Sequence, residues 1–161
     1  MRRVELERAR DVAAQVVDPE LPMLSLDDLG VLRDVTEEDG RVVVTVTPTH
    51  LGCPAFSMIR SDLRDALVSA GYDDVEVRTV LSPAWSTDWI SDRGRAALAE
   101  HGVGPPAPAG PVTLPLMVRV EARCPRCGAA ADEVSAYGAA PCLSLQRCTA
   151  CGEPFEAMKA L

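Results

Sequence analysis

The chain has no apolar run approaching the roughly 20 residues needed to span a bilayer, so a soluble protein with no membrane partner is expected. Its first residues, Met1-Arg2-Arg3-Val4-Glu5, include no apolar stretch and no secretory cleavage site. This predicts a cytoplasmic protein with reduced thiols and sets disulfides aside. Aromatic residues make up only 4% of the 161 positions, so the core must come from Val, Leu, Ala and Met, which an apolar share of 47% allows. No face rich in Arg and Lys is available for phosphates. The net charge is -8; residues 1–111 hold 11 Lys+Arg against 19 Asp+Glu, and residues 112–161 hold five of each. Nucleic acid is therefore not an expected partner, and other proteins are. Histidine is scarce as well, with only His50 and His101.

The last third carries two Cys-x-x-Cys pairs, Cys124/Cys127 and Cys148/Cys151, each followed by glycine, Gly128 and Gly152, with twenty residues between the pairs. Two such knuckles joined by a short hairpin bring four thiolates to the corners of a tetrahedron, the geometry that suits structural Zn²⁺. A small residue is expected after each second sulfur to complete the turn. Four thiolates can also hold an iron-sulfur cluster, and Cys142 between the pairs offers an additional ligand. The alternative for Cys142 is a small apolar residue buried in the ribbon.

The segment Gly102–Pro111 is rich in Pro, Gly and Ala and has no hydrophobic period, which reads as a spacer. It suggests an α+β domain over 1–101, a linker over 102–115 and a zinc ribbon over 116–161. Leu6, Ala9, Ala13, Val16 and Val17 recur at helical spacing and predict a helix over 3–17, stopped by Asp18-Pro19. Strands are predicted over 31–36 and 41–47, a helix from Phe56 to a stop at Gly71, a strand over 74–81 and a helix over 87–100. The order α-β-β-α-β implies a small open sheet with helices on one face. In the ribbon, strands are expected at 116–122, 132–136 and 143–147. Fewer than 50 residues bury little core, so the metal is expected to supply much of the ribbon's folding free energy.

A second site is suggested by Thr47-Pro-Thr-His-Leu-Gly-Cys-Pro54. Cys53 stands between a strand end and a helix start, where free N–H groups and the helix dipole favour a thiolate and predict a lowered thiol pKa. Gly52 allows close approach to the backbone. The alternative is a buried cysteine that merely caps the helix. The loop Asp18-Pro19-Glu20-Leu21-Pro22 is a helix stop that could also converge on Cys53. Carboxylates there would oppose the thiolate unless a metal or a proton lay between them. Asp18, Glu20, Cys53 and His50 could together hold iron transiently. Cys53, His50 and an Asp are also the residue types of a thiol hydrolase, but His50 sits in the same loop and the other histidine, His101, lies near the spacer, so a separately mounted base is not expected. Trp85 and Trp89 either fill the core or cover the Cys53 loop and anchor a partner.

Three stretches carry a resemblance: Val17-Asp-Pro-Glu-Leu-Pro22, Asp28-Leu-Gly-Val-Leu-Arg-Asp-Val35 and Thr47-Pro-Thr-His-Leu-Gly-Cys-Pro-Ala55. They resemble the iron-sulfur assembly domain of SufT-like proteins and of eukaryotic cytosolic iron-sulfur targeting factors. With Leu81–Ser91, the Pro-rich spacer and the tail Cys142–Glu156, the whole chain is similar to the D-component family of the bacterial ring-1,2-phenylacetyl-CoA epoxidase system. The resemblance implies a non-catalytic maturation factor in aerobic phenylacetate catabolism. Its partners would be the diiron oxygenase and the reductase, and homodimerisation is left open. Cys53 would be the iron-sulfur-handling or reactive thiol, with Asp18 and Glu20 in the matching loop. His50 departs from the Tyr more often expected at its position. Two other roles stand beside this one: a stoichiometric subunit bridging oxygenase and reductase, and an independent acyl-thioester hydrolase.

Overall fold

The computed structural model describes residues 3–106 and 122–159, which fall into two compact units divided between Trp85 and Ser86. The first unit runs α1 (Arg3–Ala14), β1 (Leu32–Glu38), β2 (Arg41–Val46), α2 (Phe56–Ser69) and β3 (Val75–Thr79). Its sheet has the order β1-β2-β3, with β1 and β2 antiparallel and β2 and β3 parallel. The hairpin between β1 and β2 turns on Asp39 and Gly40, both at positive φ, the two-residue turn whose twist matches the strands it joins. The parallel pair needs a crossover, and α2 supplies it. α1 packs on β1 and β2, α2 packs on β3, and the two helices pack on each other, so the α+β arrangement follows the expected order.

Two departures bear on function. The first helix ends at Ala14, one turn short of expectation, so Val16 and Val17 leave its face and Val17 is exposed. The chain then enters a loop closed by a bridge between Val17 and Ser25 and by the bond from the Asp18 N–H to the Leu24 carbonyl. This loop behaves as core: Leu21, Leu24, Leu26 and Leu29 are all buried. The central strand is also buried beyond the expected stripe. Val43 is as covered as Val42 and Val44, so both faces of β2 are protected from water.

The second unit holds a 3-10 turn (Thr87–Trp89), α3 (Asp92–Glu100), β4 (Val103–Gly104), β5 (Ala131–Ser135), β6 (Leu143–Cys148) and β7 (Pro154–Met158). Its sheet has the order β4-β7-β6-β5, with β4 running parallel to β7 and the other pairs antiparallel. Val103 and Gly104, read from sequence as spacer, are therefore an edge strand of the ribbon sheet, and α3 packs on it. Arg95 ties this segment together, donating to the Thr87 carbonyl at 2.7 Å and to the Pro106 carbonyl at 2.9 Å. The strand expected over 116–122 and most of the spacer lie outside the described residues. Among the described residues, no helix is long and apolar enough to cross a membrane.

Candidate functional site

The four ribbon cysteines converge. One ligand atom from each of Cys124, Cys127, Cys148 and Cys151 lies within 4.8 Å of the others, the one group of three or more such side chains among the described residues. The Sγ separations are 3.4 Å for Cys127 and Cys148, 3.7 Å for Cys127 and Cys151, and 3.9 Å for Cys124 and Cys151. A tetrahedron with metal–sulfur bonds of about 2.3 Å has edges of about 3.8 Å, so the cage is the size of one ion. A cluster of several irons would place the cysteines on different metal atoms and spread them further apart.

The two knuckles repeat one backbone pattern. The Gly128 N–H donates to the Cys124 carbonyl and the Gly152 N–H to the Cys148 carbonyl. The Cys124 and Cys148 N–H groups in turn donate to the carbonyls of Ala129 and Glu153. Gly128 and Gly152 sit at φ +73° and +74°, and a Cβ at either would meet nothing within 4 Å. The glycine requirement is therefore conformational, a left-handed turn, rather than one of size. Beneath the cage, Phe155, Ala131 and Ala157 form a small apolar cluster with Cys124 and Cys148.

Electrostatics in the cage favour a cation. The Cys151 and Ala150 N–H groups hold the Cys148 thiol down to about 6. The Ala129 N–H pulls Cys127 the same way, but the sulfurs of Cys148, Cys151 and Cys124 outweigh it and push that thiol up to about 12. Four sulfurs this close cannot all be thiolates unless positive charge lies between them. Cys142 is buried outside this group.

A second group of polar side chains lies around Cys53. Its N–H donates to the His50 carbonyl at 3.3 Å, and its own carbonyl accepts from the Phe56 N–H at 3.2 Å, so the sulfur is presented at the entrance to α2. Ala55 and Phe56 do direct N–H groups at the sulfur, as the helix-terminus argument expects. The direction of the shift is nevertheless the reverse of that expectation. Burial pushes the Cys53 thiol up, and the carboxylates of Glu20 and Asp18 add to this, outweighing the N–H groups. Cys53 is held as a neutral thiol, half-buried, with its S–H directed at the Glu20 carboxylate, Sγ to Oε2 being 3.8 Å.

Asp18 sets the position of Glu20. Its carboxylate is buried and its Oδ1 accepts from the N–H groups of Glu20 at 2.8 Å and Leu21 at 2.9 Å, closing the turn that aims Glu20 at the thiol. His50 is exposed and enters the site through its backbone carbonyl. Trp85 is buried and donates from Nε1 to the Leu29 carbonyl at 2.9 Å, a core residue that holds the long loop, while Trp89 is half-buried in the second unit. Sequence reasoning overlooked Leu29 as the acceptor for that indole and Arg95 as the tie within the second unit. The run of Leu residues between Pro22 and Val31 was the signal that this loop is core.

A family model described as an iron-sulfur cluster assembly protein matches residues 7–79, and one described as the PaaD zinc beta ribbon domain matches residues 109–159. An Escherichia coli (strain K12) protein, named as the D component of a "Putative 1,2-phenylacetyl-CoA epoxidase", is 39% identical over 149 residues, 92% of this chain and 88% of that one. The Bacillus subtilis (strain 168) "Fe-S protein maturation auxiliary factor YitW" is 38% identical over 86 residues, 52% of this chain and 83% of its own. The crystal structure of a domain of unknown function, DUF59, from Bacillus anthracis superposes with a TM-score of 0.55 at 32% identity, over 59% of this chain and 92% of that one. Both domains and the full-length match agree: the chain belongs to the D-component family of the phenylacetyl-CoA epoxidase system, an iron-sulfur cluster assembly domain joined to a PaaD-type zinc ribbon.

Proposed function

We propose that this protein is a maturation factor that delivers iron or an iron-sulfur cluster to the phenylacetyl-CoA epoxidase, acting on its reductase or its diiron oxygenase. The observation that carries this reading is the pair formed by Cys53 and Glu20 at the start of α2, in a domain matched by the iron-sulfur assembly family. The metal or cluster is the cargo, and Cys53 is its exchange ligand. On binding, the S–H bond is replaced by a sulfur–metal bond, and the proton leaves to the nearest acceptor, the Glu20 carboxylate. With Glu20 taking the proton, Cys53 is the single side-chain donor and the rest of the coordination sphere is left to the cargo's other ligands. Such a site holds weakly and releases readily, as transfer requires. Asp18 acts by fixing the turn that carries Glu20.

In this reading the ribbon cysteines hold a structural Zn²⁺, and the ribbon over residues 116–161 serves as the docking domain. The chain does no catalysis of its own. A thiol hydrolase is not favoured, because burial and the nearby carboxylates push the Cys53 thiol up, and the side chain beside it is Glu20 rather than an imidazole that would activate it.

The test is anaerobic metal and sulfide analysis of wild type, Cys53→Ala and Cys148→Ser matured in iron-replete cells. These are paired with the iron content of epoxidase components purified from a deletion strain. Zinc lost only in Cys148→Ser, iron and sulfide lost only in Cys53→Ala, and under-loaded components in the deletion strain are the expected results. Fully loaded components from that strain would overturn the maturation role and leave the bridging role.

A further inference from the structure

A groove of about 470 Å³ lies between the two helices of the first unit, lined by Val12, Gln15, Val16 and Val17 on one side and Asp62 and Ala66 on the other. It exists because α1 stops at Ala14, releasing Val16 and Val17 from the helix face that would otherwise bury them. Val17 is 47% exposed, and Met58, one helical turn before Asp62 and so on the same side of α2, is 55% exposed. Val12, Val16, Val17 and Ala66 give this shallow groove an apolar lining.

Charge narrows the occupant. Residues 1–85 hold nine Lys+Arg against sixteen Asp+Glu. Several of these acids are already answered: Asp74 and Glu76 by Arg41, Glu38 by Arg78. Among the described residues, no cation lies within ion-pair distance of Asp62. A half-buried carboxylate on the wall of an apolar groove is complementary to an incoming Lys or Arg, and the seam between two packed helices can take the apolar face of a third, amphipathic helix. Along the chain the groove's lining borders the segments of the thiol site. Val17 immediately precedes the Asp18 turn that aims Glu20, and α2 begins three residues after Cys53.

We propose that the groove between α1 and α2 receives an amphipathic helix of a protein partner, which lays apolar residues against Val16, Val17 and Ala66 and pairs a Lys or Arg with Asp62. The inference concerns docking and stands or falls separately from metal transfer.

A photo-crosslinking amino acid placed at Val17 of the full chain, in native host cells, with the adduct sequenced by mass spectrometry, tests it. The expected adduct is a segment of a different protein with apolar residues at i, i+3 or i+4 spacing and a basic residue among them. The synthetic form of that segment should bind the full chain. Asp62→Lys should weaken it about tenfold or more, and reversing the segment's basic residue to Glu should restore much of the loss, whereas Asp65→Lys should have little effect. Adducts only with a second copy of this chain, adducts lacking a basic residue, equal effects of Asp62→Lys and Asp65→Lys, or no adduct would each overturn it. Retention of the adduct in Cys53→Ala, with loss of partner loading, is expected if both docking and transfer hold. An adduct without any loading defect would remove the transfer role and keep the groove.

Discussion

The Cys53 Sγ stands 3.8 Å from the Glu20 Oε2, although 33 residues separate the two along the chain. Burial and the carboxylates of Glu20 and Asp18 push the thiol up, so less of it is thiolate at neutral pH than for an ordinary cysteine. Alkylation of the Cys53 peptide by iodoacetamide, followed by mass spectrometry, should be slow at pH 7 and rise at a pH above the ordinary thiol range. Glu20→Gln should move that rise to lower pH. An unchanged profile in Glu20→Gln would mean that the carboxylate does not act on the thiol. The same shift makes the fold lose stability at alkaline pH, since the unfolded chain releases the Cys53 proton first.

Asp18 is held above its ordinary value by burial, against the pull of the Glu20 and Leu21 N–H groups. Between the ordinary and the raised value the folded state binds a proton that the unfolded state has lost, so the contribution of Asp18 to stability falls as pH rises through that window. Asp18→Asn keeps an Oδ1 acceptor and removes the buried charge, and it is expected to equal or exceed wild-type stability at pH 7. Asp18→Ala leaves two N–H groups without their acceptor and should cost about 1–3 kcal/mol. Urea unfolding of the first unit's signals at pH 7 distinguishes the two variants.

Metal removal should act on one unit. Structural zinc in small cysteine-rich domains contributes about 10–16 kcal/mol, as much as or more than the whole stability of a typical domain. Chelation, or Cys148→Ser, is expected to collapse amide dispersion for residues 122–159 while the signals of residues 3–85 stay in place. A dispersed spectrum for 122–159 after chelation would show that the sheet and the α3 segment suffice without metal.

Gly152→Ala should cost about 1–2 kcal/mol, because an L side chain at φ +74° is strained even though the space around it is open. The loss should appear as weaker metal retention in a chelator competition. Gly152→Asn, which tolerates the left-handed region better, should recover part of it.

Regular elements with a strong period were legible from the residues alone. Ile59, Leu63 and Leu67 repeat at helical spacing and are the buried face of α2, and Glu37-Glu38-Asp39-Gly40 reads as a hairpin turn, of which Asp39 and Gly40 take the positive φ values and Glu37 and Glu38 remain in β1. The strands β4 and β7 carry no such signal. Val103-Gly104 has too few residues for a period, and Pro154 at the head of β7 reads as a breaker although it sits at the first strand position, where its missing N–H is tolerated. The α1–β1 loop has no regular period either, because its leucines are buried by loop turns whose hydrogen bonds do not repeat.

By itself the sequence determined the metal cage, since cysteine spacing and following glycines specify two local knuckles. It likewise determined the α-β-β-α-β order, which follows from hydrophobic periods along the chain. Only the tertiary structure decided the state of Cys53. Local backbone donors at a helix start argue for a thiolate, and that argument is correct as far as it goes. The opposing charge comes from a loop 33 residues away, and burial comes from packing, neither of which has a signature in the Gly-Cys-Pro stretch. Electrostatic interaction depends on distance in space, and at this half-buried site burial, with the remote carboxylates adding to it, outweighs the dipoles that the neighbouring residues supply.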